Sequence, residues 1–201
     1  QFNLKPIGKP FIDLVKVLKD SAGLKDYHLG KAAKHAPESK DGLNIEGLTK
    51  TPQGHLLIGF RNPIPHGKAL LVPLENPQAV ITGHEKPKLG NPILLALNGL
   101  GIRSIEYSDA QGVYFIMAGP YDDNGRFQLY QWSGDPSAAP ELIRMGFQKL
   151  HPEALVVYPQ QKAKIQIISD DGSESINNQH CKDLAKAQDK SFRSIWVDIA
   201  P

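Results

Sequence analysis

The feature that most constrains this chain is a pattern that occurs three times. Ile45-Glu46-Gly47-Leu48 opens a segment that turns at Pro52-Gln53-Gly54 and continues as Leu56-Leu57-Ile58-Gly59-Phe60. Ile102-Arg103-Ser104-Ile105 turns at Asp109-Ala110-Gln111-Gly112 and continues as Val113-Tyr114-Phe115-Ile116. Pro152-Glu153-Ala154-Leu155 turns near Pro159-Gln160-Gln161 and continues as Ile165-Gln166-Ile167-Ile168. A third strand-like run follows the first two copies at nearly one offset, as Ala69–Val72 and Phe127–Trp132. In the third copy an excursion through Gln179–Lys190 intervenes before Phe192–Ile199.

Units of roughly 40 to 50 residues, each with four short strands, are the build of propeller blades. Such a unit cannot bury its apolar faces alone and must lean on its neighbours. The sequence therefore predicts a mainly β, propeller-like fold of about three four-stranded blades over about 43–98, 99–150 and 151–201. A β-sandwich is the rival architecture, because it uses strands of the same length between turns. A closed propeller takes about four blades or more. Three would leave two apolar faces to be covered by missing N-terminal blades, by a second copy of the chain, or by the N-terminal helices. Missing blades are the preferred reading, with the chain as the C-terminal part of a longer protein; Gln1-Phe2-Asn3 looks like a cut end or the start of an ordered region.

Residues 1–42 differ from the rest and are expected to form a helical lead-in packed on the sheet. Pro10 suits a first helical turn, and Phe11, Leu14, Val15 and Leu18 share one helical face before Gly23. A weaker helix is expected over Leu29–Lys34, and a further strand over Asn3–Ile7.

Composition matters here for what it excludes. With 40% hydrophobic and 22% charged residues the chain is globular, not disordered. A formal charge of +2 gives no reason to expect nucleic acid or a membrane surface as a partner. The longest strongly apolar stretch, Pro92–Leu97, is far short of the roughly 20 residues of a membrane span, so a soluble protein is expected. Cys181 is alone and provides neither an internal disulfide nor a cysteine pair for zinc.

Aligning the copies puts Glu46, Arg103 and Glu153 at one position on the first strand of each unit. In a propeller that strand lines the central channel. Acid, base and acid in succession there either tie neighbouring blades together or, with Arg61 and Asn62, grip a small ligand. The tie is the more economical reading, since half-buried ion pairs are common and weak evidence of function. A second equivalent position lies past the second strands: Arg61-Asn62, then Tyr121-Asp122-Asp123, then Asp170-Asp171-Gly172. Asp122, Asp123, Asp170 and Asp171 could together offer an oxygen-rich site for Ca²⁺ or another divalent cation. The same residues are ordinary turn formers.

No phosphate-binding loop, no nucleophile elbow and no helical His pair occurs in the sequence. Two functions are therefore carried forward. One is a non-enzymatic binding or scaffold module. The other is a metal-assisted hydrolase of phosphate or other esters, with its Asp-rich site at the channel mouth and Arg61 or Arg103 steadying the anion.

Several runs also resemble a bacterial family known only as a domain of unknown function, family 3616. They are Leu43–Leu48, Gly59–Pro63, Gly99–Ile105, Pro152–Leu155, Ser169–Gly172, Cys181-Lys182 and Phe192-Arg193. The resemblance extends from about Leu4 to the end. It implies a propeller-like fold whose members carry further N-terminal repeats, and it implies no activity or established cofactor. Bacterial cytoplasm and periplasm are both left open.

Overall fold

A computed structural model of the chain describes residues 5–122 and 125–199. Its strands form antiparallel sheets that follow the chain in order. The first sheet is β1 (Asn44–Lys50), β2 (Leu56–Asn62), β3 (Ala69–Leu74) and β4 (Ile93–Leu95), adjacent in that order. The second repeats the arrangement with β5 (Gly101–Ser108), β6 (Val113–Gly119), β7 (Gln128–Trp132) and β8 (Glu141–Ile143). The third contains β9 (Pro152–Val157) and β10 (Lys164–Ser169), with β13 (Ser194–Asp198) on the far side of β10. Between β10 and β13 lies a small hairpin of β11 (Ser175–Ile176) and β12 (Gln179–His180). The fold is mainly β with few helices, and no sheet of the described residues closes into a barrel.

The sheets pack as layers, and the side-chain alternation of each strand sets which layer a residue joins. Leu57, Ala69, Leu71 and Leu95 point from the first sheet to Ile102, Ile105, Ile116, Tyr130 and Trp132 of the second. Phe115, Met117 and Leu129 point from the other face of the second sheet to Leu155, Ile165, Ile167 and Val197 of the third. Ile58, Phe60, Leu70 and Val72, on the remaining face of the first sheet, meet Leu18, Leu24 and Leu29 of the N-terminal segment. That segment contains α1 (Leu14–Asp20), a 3-10 turn over Ala22–Tyr27, and α2 (Leu29–Ala32).

Burial on both faces explains why β2 and β6 read as continuous apolar runs: each is buried everywhere but its first residue. β10 instead alternates, because the third sheet is covered on one face. Its other face carries Gln166, which donates to Ser194 Oγ (2.9 Å) and accepts from the Tyr158 hydroxyl (2.8 Å). Trp196 stands beside Tyr158 there, ring centres 5.5 Å apart, and is 49% exposed.

Glycines make the first seam tight. A Cβ on Gly47 or Gly59 would lie 2.8 or 2.9 Å from Ile102 Cγ2, and one on Gly101 would lie 1.9 Å from the Arg61 carbonyl oxygen. Hydroxyls then bridge successive first strands. Thr49 Oγ1 accepts from the Tyr107 N–H, and Ser104 Oγ from the Leu155 N–H, each at 3.1 Å.

Four expectations need correction. The third sheet has three strands, not four, because the chain after β10 folds into the β11–β12 hairpin and 3-10 turns before returning as β13. The first helix begins at Leu14 instead of Pro10; Ile12, 87% exposed, has no surface to pack against. The second ends at Ala32 instead of Lys34. No strand forms over residues 5–7, and the rest of the Asn3–Ile7 expectation lies outside the described residues. A short helix not expected from the sequence, α3 (Pro77–Ile81), is inserted between β3 and β4.

Candidate functional site

The three aligned charges do meet, and a shared backbone irregularity brings them together. In the first sheet Ile45 pairs with Phe60 and Gly47 with Gly59, so Glu46 is an extra residue without a partner across the ladder. Ile102 pairs with Ala118 and Ser104 with Met117, which leaves Arg103 as the extra residue in the second. Pro152 pairs with Ser169 and Ala154 with Ile168, which leaves Glu153 in the third. Each first strand therefore carries a β-bulge at the same place, and a bulge re-aims the side chain of its extra residue.

Arg103 sits between the two acids. Its Nε is 3.2 Å from Glu46 Oε2, and its Nη2 donates to Glu153 Oε2. Arg61, at the end of β2, donates from Nη1 to Glu46 Oε1 (2.8 Å) and from Nε to the Pro120 carbonyl (3.1 Å). Both arginines are buried, at 3% and 4% exposure, while Glu153 opens to solvent at 37%. The Arg103 guanidinium also lies 5.6 Å from the centre of the Phe127 ring, a favourable cation–π placement.

Gly119 makes room for this: in the aligned sheets it occupies the position of Arg61, and a Cβ there would come within 2.9 Å of both Arg103 Cγ and the Phe127 ring. Burial raises the Glu153 carboxyl above the ordinary glutamate range against the pull of Arg103, and the Glu46 charge adds to the rise. Two arginines and two glutamates balance in charge. Among the described residues the cluster is an ionic series, Arg61–Glu46–Arg103–Glu153, that runs across three sheets.

The other candidates are placed differently. Asn62 faces away from the cluster and donates to the carbonyls of Ser39 (2.6 Å) and Lys40 (3.2 Å), fastening the end of the helical segment to β2. Asp171 is buried and held by Arg193, whose backbone N–H and Nε reach Oδ2 at 2.6 and 2.9 Å and whose Nη2 reaches Oδ1 at 2.7 Å. Ser169 Oγ also donates to Asp171 Oδ1 (2.8 Å). Asp170 is exposed and accepts from the Gly172 N–H (2.9 Å), a turn contact. Asp123 lies outside the described residues. Among the described residues no three His, Cys, Asp or Glu side chains gather as a metal site, Asp122, Asp170 and Asp171 included.

The Asp171 carboxyl is pulled down to about 2, chiefly by hydrogen bonding to Arg193. A lowered native value contributes stability that is complete above the ordinary aspartate range and lost as the pH falls through about 2. Urea unfolding between about pH 5 and pH 2 should show this loss. Asp171→Asn should lower stability at neutral pH and flatten that part of the profile; an unchanged profile would deny the pair its role.

Phe127 and Pro120 were not singled out by sequence, since an aromatic at a strand start and a proline in a turn look ordinary. Arg193 stood in a recognisable run, but nothing in the spacing tied it to Asp171.

What fold and cluster define is a layered, antiparallel β protein whose conspicuous charges hold one another. No helix of the described residues is long and apolar enough to cross a membrane. The chain belongs to the family described as Protein of unknown function (DUF3616), which it matches over residues 11–183. No curated protein matches it.

Proposed function

We propose that this chain is a non-enzymatic, propeller-type scaffold and binding module. In this reading the three sheets are successive blades, and Glu46, Arg103, Glu153 and Arg61 lock their inner strands together. The observation that carries it is the same β-bulge on the first strand of each sheet, with its charged residue closing onto the next. A sandwich gives no reason for one irregularity to recur at one end of three sheets. The mutual neutralisation of the four charges supports a lock over a ligand grip. A buried pair that is fully matched leaves no net charge to attract a ligand.

Extension of the array fits best at the exposed face of the third sheet, where Glu153 is the open end of the acid–base–acid series. The first sheet's outer face is already occupied by α1 and α2. Further blades of a longer protein, or a second copy, would dock there with a basic residue toward Glu153.

The hydrolase alternative requires a divalent cation, and calorimetry separates the two readings. Millimolar Ca²⁺ or Mn²⁺ should leave the melting temperature unchanged, and p-nitrophenyl phosphate should not be hydrolysed with either ion. A metal-dependent rise in melting temperature that Asp170→Ala abolishes, together with turnover, would overturn the scaffold reading.

A further inference from the structure

A second polar cluster borders the lock across Phe127, in the gap between the outer strands of the second sheet and the start of the third. The segment from β8 to β9, with the approach to β7, borders an open cavity of about 480 Å³. Arg126, Arg144, Lys149 and His151 line it, and none of the described residues that line it is acidic. No ion pair among the described residues involves Arg126, Arg144 or Lys149. Elsewhere the cations Arg61, Arg103 and Arg193 are all matched by carboxylates. Here three line one cavity without a carboxylate partner among the described residues.

The wall is also built to hold still. The Lys149 carbonyl accepts from Arg193 Nη2 (3.2 Å), and the His151 N–H donates to Ser169 Oγ (2.9 Å). The Leu150 N–H closes a turn onto the Phe147 carbonyl (2.8 Å), and the Asp170 N–H reaches the His151 carbonyl (2.8 Å). Arg193 is itself fixed by Asp171. The Asp171–Arg193 pair therefore acts as the anchor of this wall. Phe127 and the buried Phe147 supply apolar surface, and the His151 ring meets Phe127 edge-on at 6.4 Å between centres.

We propose that this cavity binds a small organic phosphate, with Arg126, Arg144 and Lys149 around the phosphate and Phe127 and Phe147 against its apolar body. Two guanidinium groups suit the forked, charge-assisted hydrogen bonds a phosphate accepts. An apolar floor with a few converging polar groups is the usual form of a small-molecule site. The proposal goes beyond the scaffold reading and does not depend on it, since the cavity uses none of the four locking residues.

Titration calorimetry of the whole chain with phenyl phosphate, inorganic phosphate and phenol tests it. Phenyl phosphate should bind about ten-fold more tightly than inorganic phosphate, and phenol should give no signal. Arg126→Ala and Arg144→Ala should each weaken phenyl phosphate about ten-fold, with melting temperatures unchanged, because both side chains are exposed. Lys182→Ala, an exposed residue that is not part of the cavity lining, should leave binding unchanged. Silence at about 10 mM phenyl phosphate would overturn the proposal. So would equal affinity for inorganic phosphate, or affinity that neither arginine change affects.

Discussion

Arg103→Ala is expected to destabilise the chain by about 3–5 kcal/mol, the usual cost of removing one partner from a buried ion pair. The loss has an identifiable origin. Without the guanidinium, the largely buried Glu46 and the partly exposed Glu153 lose the cation they share, and Glu46 keeps its bond to Arg61 while Glu153 keeps no direct ion pair among those described. Arg103→Met combined with Glu153→Gln should recover most of the loss. That pair of changes leaves Glu46 matched with Arg61 and no charge uncompensated. Urea unfolding of the two variants measures both quantities. If the double variant is as unstable as Arg103→Ala, the damage lies in lost packing on Phe127, and the electrostatic account of the lock fails.

The second large effect is steric. Gly101→Ala would place a methyl group 1.9 Å from the Arg61 carbonyl oxygen, and a backbone atom inside a sheet cannot swing aside. Either β5 backs away from β2 or the chain does not fold, at a cost of about 3 kcal/mol or more. Arg61 belongs to the lock, so the displacement also disturbs its bond to Glu46. Gly146→Ala is the control, because a Cβ there has nothing within 4 Å. A thermal melt of Gly101→Ala that matches the unsubstituted chain would show that the seam has slack.

The repeat made the sheets readable in advance, since strands with a common burial requirement produce a common apolar pattern. Glu46, Arg103 and Glu153 could be aligned for the same reason. The short fourth strands, Ile93–Leu95 and Glu141–Ile143, escaped because three residues are too few to establish a period. The bulges escaped for a different reason. An unpaired residue is a relation between two strands, and Arg103 does not announce in its own neighbourhood that Ile102 and Ser104 face consecutive partners. The carboxylates of the turns were overread, because spacing alone does not show that Asp171 is claimed by a residue 22 positions later. The cationic cavity was out of reach too: Arg126, before β7, and Arg144 and Lys149, between β8 and β9, line one cavity only because the chain after β8 passes the start of β7.

One extra residue in a first strand also changes the phase of everything around it. Ile45 belongs to the core beneath the helices, while Gly47, two positions on, abuts Ile102 on the opposite side. Ile102 likewise belongs to the core shared with the first sheet, and Ser104 to the contact with the third. Substituting Glu46 and deleting it are therefore different kinds of injury. The first removes a charge; the second shifts the frame by one and exchanges inside for outside along the strand. Counting, more than chemistry, is what those three sites conserve in the architecture.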